Sequence, residues 1–410
     1  MTQPTAAGRA TSAVHDPARW RKRFPILAST NYLVTHSLGA MPDTVHEKLK
    51  LFTDQWATRG VRAWAEGWWD APITVGNLLG RILNAPPNTV AMHQNVSVIQ
   101  GLVASALDFS GKRNKVVYTE HNFPTNMYVW EGFKKLGARI HVVKSPDGIG
   151  VPTEDMLAAI DEETLIVPIS HVFFRTSFMQ DAAAICKRAK EVGALVLLDT
   201  YQSLGCVPID VQALDVDMVC GGSVKWLCGG PGAGYLYVKP SLQAKLEPKI
   251  TGWAAHAAPF AFELGAQRYA NDARRLLHGS PAVPSLYAAS AGYEIILDVG
   301  VDAIRAHSTM LTEWLRGELG SRGFRVTSPT NVSQRAGTLT VALAPDEHGP
   351  AFVAALEARG ILVDHRPEAG LRVSPHFYTE QQELASFADS LAELRRTKKW
   401  QDFVGGKKAY

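Results

Sequence analysis

The sequence predicts an α/β protein: a large domain built on a mostly parallel sheet, followed by a small α+β domain. Two observations carry this. Between about residues 89 and 240, short continuous apolar runs alternate with helical patterns, as expected of parallel strands buried on both faces by crossover helices. From about residue 291 the order changes to a long helix and then a strand–helix–strand–strand mix, which suggests a separate small domain. The expected divisions are an N-terminal arm over 1–30, a large domain over 31–290 whose first segment packs on the small domain, and a small domain over 291–410.

In chain order, TVAMH (89–93) is the first strand of the large domain and VSVIQGLVASAL the helix after it. KVVYTE (115–120) leads into PTNMYVWEGFKKLG, where Pro124 suits a first helical turn. RIHVVK (139–144) and TLIVPIS (164–170) follow, the latter with Pro168 inside it, a residue that removes a ladder donor. A helix runs from Asp181 to Val192, and ALVLLD (194–199), DMVCGG (217–222) and GYLYVKP (234–240) complete the set. In the small domain RVTS, TLTVALA, a helix over 350–359, ILVDHR and LRVSP supply the elements.

Composition narrows the function classes. With 46% hydrophobic and 20% charged residues over 410 positions, the chain is of ordinary globular type. A net charge of +3, with no basic block interleaved with aromatics, makes nucleic acid a poor partner. Lys398, Lys399, Lys407 and Lys408 read as a solvated tail. Four cysteines without CxxC spacing point to a reducing cytoplasm. No apolar run approaches the roughly 18 residues of a membrane span, and the first twenty residues read as a mobile arm and not a signal peptide. Asn95-Val96-Ser97 and Asn331-Val332-Ser333 match the glycosylation sequon, a pattern short enough to arise by chance.

In open α/β sheets ligands sit beyond the carboxyl ends of the strands, so the residues there are the ones to question. Asp199 ends the apolar run ALVLLD; it could cap the next segment or deliver a carboxylate to a site. Gln202 can reach the same side. Lys225 lies in CGGSVKWLCGGPGAG, where apolar neighbours would lower an amine's pKa. Asn95-Val96-Ser97-Val98 falls between a strand and a helix, and is either an ordinary cap or a phosphate cradle. GGPGAG precedes a strand and not a helix, which argues against a dinucleotide loop. An amine that can form an imine, a carboxylate to keep a pyridine nitrogen protonated and a phosphate cradle are what pyridoxal 5′-phosphate chemistry needs.

Taken together, these residues resemble the class V aminotransferase branch of fold-type I pyridoxal-phosphate enzymes, with kynureninase the nearest likeness. The likeness runs through SLG (37–39), RAWAEGWWD (62–70), NFPTNMY (122–128), SHVFFRTSFMQD (170–181), DTYQSLGCVPID (199–210), GGSVKWLCGGPG (221–232), GWAAH (252–256), HGSPAVPSL (278–286) and VDHRPEAGLRVSPHFY (363–378). The resemblance implies that Lys225 carries the cofactor and acts as the base at Cα, and that Asp199 pairs with the ring nitrogen. It implies that Gln202 bonds the ring's phenolate oxygen, that Phe123 stacks on the ring and that Asn126 stands beside it. Val96, Ser97 and Ser223 would hold the phosphate. Trp253 and Ser280 would complete the phosphate site from the other subunit of a homodimer, and Arg372 would clamp the α-carboxylate of a small amino-acid substrate.

Three departures accompany the likeness: kynureninases have histidine at Gln202, tyrosine at Val224 and aspartate at Asn126. The stretch VDHRPEAGLRVS also holds no cysteine, where cysteine desulfurases carry their nucleophile. The resemblance therefore implies hydrolytic or eliminative cleavage of an L-amino acid side chain, at Cβ–Cγ or Cβ–heteroatom, with kynurenine the first substrate to try. A C–S lyase, an epimerase, a decarboxylating deaminase or an aminotransferase is the alternative. A non-catalytic protein of this fold would be expected to lose Lys225, Asp199 or Arg372, and a regulator would carry a DNA-binding domain for which the roughly 30 residues before the first match leave no room. Trp64, Trp68 and Trp69 could wall an aromatic substrate's pocket or pack together. His36, His93, His121 and His171 read as structural or ring-adjacent groups, and Cys206, Cys220 and Cys228 as structural.

Overall fold

The computed structural model describes residues 16–405. Its centre is a seven-stranded sheet of β1 (Val90–His93), β2 (Lys115–Thr119), β3 (Arg139–Val143), β4 (Thr164–Ser170), β5 (Leu195–Asp199), β6 (Met218–Gly222) and β7 (Gly234–Val238). The order across the sheet is β1-β7-β6-β5-β4-β2-β3. Helices α1 (Val96–Ser105), α2 (Pro124–Gly132) and α3 (Ala182–Val192) follow β1, β2 and β4. Buried side chains on both faces, such as Leu197 and Leu198, explain why these strands read as continuous apolar runs.

Pairings among β3, β2, β4, β5 and β6 are parallel, whereas β7 is antiparallel to both β6 and β1. Alternation of runs alone suggested a parallel neighbour there. The cause of the difference lies in residues 223–233, which form no helix; without a crossover the chain reverses direction and pairs as a hairpin does. Pro168 keeps its place in β4, and its carbonyl accepts from Asn122 Nδ2 at 2.8 Å.

The long helix expected from residue 291 is two helices, α4 (Val283–Val299) and α5 (Val301–Ser321), separated by Gly300 at φ 83°. Beyond them, β8 (Leu339–Val341), β9 (Asp364–Arg366) and β10 (Gly370–Val373) form an antiparallel sheet in the order β9-β10-β8. RVTS makes only an isolated bridge, Val326 to Val341. Residues 31–32 pair in parallel with 361–362, and Leu33 is buried in the same cluster as Leu371 and Leu384. The expected arm lies partly outside the described residues; within them, Trp20 and Phe24 are buried against Phe377. Of the expected lysine tail, Lys407 and Lys408 lie outside the described residues, and Lys399 precedes Trp400, which is buried in the small-domain core.

Candidate active site

Because β1, β2, β4, β5 and β6 run the same way, the residues after each arrive on one edge of the sheet. They surround a cavity of about 390 Å³, lined among others by Val96, Phe123, Asn126, Asp199, Lys225 and Arg372. Asn95 is the N-cap of α1, its Oδ1 accepting from the Val98 N–H at 3.0 Å. The cap reading of that motif is therefore correct, and it leaves the first-turn N–H groups of Val96 and Ser97 without intrahelical acceptors, beside the cavity. Phe123 is the N-cap of α2 and is about half exposed.

Asp199 ends β5 and is buried. Its Oδ2 accepts from Asn126 Nδ2 at 2.7 Å and its Oδ1 from the Tyr201 N–H at 2.9 Å. Burial pushes the Asp199 carboxyl up, against the pull of those hydrogen bonds and of Lys225. A buried carboxylate in this condition favours a cationic N–H partner. Asn126 Oδ1 is buried with no partner of its own. Gln202 donates from Nε2 to the His36 carbonyl at 3.2 Å and accepts from Trp226 Nε1 at 3.2 Å, so its amide is already oriented by the surrounding chain.

Lys225 follows β6 in a turn pinned from the N-terminal segment. The Gly39 N–H donates to the Val224 carbonyl at 2.7 Å. A Cβ at Gly39 would stand 2.1 Å from the Lys225 carbonyl oxygen, so only glycine lets the two segments meet. Lys225 Nζ lies 4.5 Å from the centre of the Tyr201 ring and 5.7 Å from that of Phe123. Tyr201 packs where a Cβ on Gly222 would be 2.5 Å from its ring. Burial, reinforced by the charge of Arg372, pushes the Lys225 amine down to about 7. About half the amines are then neutral at pH 7, ready to attack a carbonyl.

This predicts how cofactor-free protein takes up pyridoxal 5′-phosphate. Below pH about 7 the neutral fraction, and with it the rate of covalent uptake, falls about tenfold per pH unit; above it the rate levels off. Stopped-flow absorbance across pH 5–10 (about half-unit steps) reads this directly. A rate still climbing tenfold per unit beyond pH 9, as about 10.5 for an ordinary lysine would give, contradicts the depressed amine.

Arg372 also lines the cavity. Its Nε and Nη2 grip Asp364 at 2.8 and 2.5 Å, and its Nη1 donates to the Phe174 carbonyl at 2.5 Å. Asp364 also accepts from His36 Nε2 at 2.8 Å and forms an ion pair with Arg366 Nη2 at 3.0 Å. Arg366, half-buried, shares the cavity.

Not all the predicted residues meet there. Ser223 is buried, its hydroxyl donating to the Ala233 carbonyl at 2.6 Å and contacting the Tyr293 hydroxyl, and it does not line the cavity. Trp253 and Ser280 are exposed and also stand outside it in this chain. Trp64 and Trp68 pack edge-on in a cluster with Phe52, and Trp69 packs on Trp253 and Phe260, so none walls the cavity. All four cysteines are buried and free, and burial raises every thiol. Among residues that sequence reasoning gave no part in the site, Tyr201, Asp364 and Arg366 gather here, and His36, read as a structural or ring-adjacent group, also lines the cavity. For Tyr201 the adjacency to Asp199 was the available signal. The donor set fits a phosphorylated pyridine aldehyde: a near-neutral amine, a buried carboxylate in want of a cationic N–H, and free N–H groups at a helix start.

Residues 41–387 match the family described as aminotransferase class-V. A Bacillus subtilis (strain 168) protein described as the uncharacterized aminotransferase YcbU is 31% identical over 378 residues, 92% of this chain and 98% of that one. The kynureninase of Burkholderia mallei (strain SAVP1) is 28% identical over 399 residues, 94% of each chain. The cysteine desulfurase of Thermococcus onnurineus NA1 superposes with a TM-score of 0.83 at 20% identity, covering 95% of this chain and all of that one.

Proposed function

From the premise that the chain belongs to the class-V aminotransferase family, with the fold-type I architecture and pyridoxal 5′-phosphate as cofactor, we propose that it cleaves the side chain of an L-amino acid. The bond is Cβ–Cγ or Cβ–heteroatom, by hydrolysis or elimination. The observation that carries this reading is the Lys225 amine, pushed down to about 7, in a cavity whose lining also includes a carboxylate, amides, hydroxyls, an imidazole and guanidinium groups but no thiol, every cysteine being buried elsewhere. Such a site moves protons and does not transfer sulfur. The kynureninase relatives matching 94% of the chain support kynurenine as the first substrate to try.

Each residue then has a part. When bound, the cofactor supplies an electron sink for bonds broken at Cα and beyond. Asp199 would keep a proton on the ring nitrogen, and Asn126 and the Tyr201 N–H orient that carboxylate, their hydrogen bonds opposing the rise that burial causes. The first-turn N–H groups of Val96 and Ser97 receive the phosphate. Phe123 would stack on the cofactor's ring, and Gln202 would hydrogen-bond its phenolate oxygen. Lys225 takes the Cα proton on its Nζ and returns it. Arg372 binds the substrate carboxylate.

Val224, which lacks the hydroxyl kynureninases place there, and the 31% identity to a protein described as an aminotransferase favour a second reading, another class-V reaction. A panel of amino acids incubated with holoenzyme separates the two. Release of anthranilate from kynurenine supports the first; a keto acid without side-chain loss, pyruvate or an aldehyde supports the second. In the same reading the working molecule is a cytoplasmic homodimer, supported by the exposed Trp253, Phe260, Phe262 and Leu264 and by four free cysteines.

A further inference from the structure

Asp364 is buried, yet it holds more of the site's charge than any other carboxylate. Its Oδ1 accepts from Arg372 Nε and His36 Nε2 and its Oδ2 from Arg372 Nη2, and Arg366 Nη2 forms an ion pair with Oδ2 at 3.0 Å. Three N–H donors and an ion pair with a second guanidinium leave little of this carboxylate's capacity free. Burial pushes its carboxyl up, but the contacts with His36 and Arg372 outweigh this and hold it well below the usual range, so it stays ionised. His36 is itself neutral, pushed down to about 4 by burial and by Arg372. With Nε2–H given to Asp364, its Nδ1 accepts from Ser374 Oγ at 2.7 Å, which fixes both tautomer and ring.

The consequence falls on Arg372. A guanidinium has five N–H bonds, and Asp364 and the Phe174 carbonyl engage three. Two are left, one on each Nη, the number a carboxylate takes bidentately. Two arginines against one aspartate leave a single positive charge, which one carboxylate neutralises.

We propose that Asp364 is a positioning residue for substrate recognition: it fixes the Arg372 fork with its free N–H pair toward the cavity, and His36 holds Asp364 in turn. This rests on the reading that Arg372 meets the substrate carboxylate. Asp364 and Arg372 also face each other across β9 and β10, so a purely structural pairing is the competing account.

The test uses holoenzyme and two probes, L-alanine and L-alaninamide, which share amine and side chain and differ in the carboxylate. Their half-saturation is read from the cofactor's visible absorbance. L-Alanine should bind wild type about tenfold more tightly or better, and Asp364→Asn should bring the ratio to within about threefold while the cofactor stays bound. Arg372→Ala should erase the preference, and adding Asp364→Asn to it should change nothing further. Should Asp364→Asn not fold, His36→Asn, which removes the Nε2 donor, should lower the ratio, and His36→Gln, which restores a donor there, should recover it. An unchanged ratio, or tighter L-alanine binding, in Asp364→Asn overturns the proposal. A wild type that does not distinguish the probes overturns it together with the role of Arg372. Neither probe depends on which side-chain bond is broken, so failure of the cleavage reading leaves this test intact.

Discussion

Lys225→Ala should abolish covalent capture of the cofactor and lower turnover by about a thousandfold or more. Both losses have one origin. The amine that binds the cofactor is also the group placed to carry the Cα proton, and no other amine lines the cavity among the described residues. Alanine leaves the fold intact, since the turn is held by the Gly39 N–H on the Val224 carbonyl and by the buried Trp226 and Leu227 and not by the lysine side chain. Borohydride reduction followed by mass analysis of the intact chain reads the first effect. A variant that still gains the mass of the reduced cofactor would show that another residue carries it.

Asp199→Asn should weaken cofactor binding and cut turnover by roughly a hundredfold or more. The substitution keeps size and shape but removes the charge. Asn126 Nδ2 and the Tyr201 N–H, 2.7 and 2.9 Å from the carboxylate, would then face an amide that cannot satisfy both while also accepting from a ring N–H. Only the ring's protonation is lost, so the covalent link through Lys225 should survive, shifted in absorbance. Turnover within about threefold of wild type would mean that the ring nitrogen is held elsewhere.

Much of this site was legible because sheet geometry funnels strand ends to one place. Asp199, Lys225 and the Asn95 turn each follow a continuous apolar run, and such runs mark buried strands well. Ser223 stands two residues before Lys225 in the same loop, but nothing local tells which way its hydroxyl turns, and Tyr293 from α4 takes it inward. The tryptophans of the 62–70 segment are suited equally to a pocket wall or to packing, and Phe52 and Tyr287, distant in sequence, decide for packing. His36, Asp364 and Ser374 could not be joined by spacing at all. Their contact exists only because residues 31–34 lie along the small domain. The break at Gly300 was hidden because α4 and α5 are each apolar enough to read as one helix.

That pairing of residues 31–32 with 361–362 bears on how the chain matures during synthesis. The segment is made long before residues 361–362 and must wait for them before it can dock. Until then Leu33 lacks its core and Arg372 has not been made. The large-domain sheet can assemble earlier from neighbouring strands. A nascent chain thus carries the sheet frame before its reaction centre is complete, and termination before residue 361 leaves the cavity without Arg366 and Arg372.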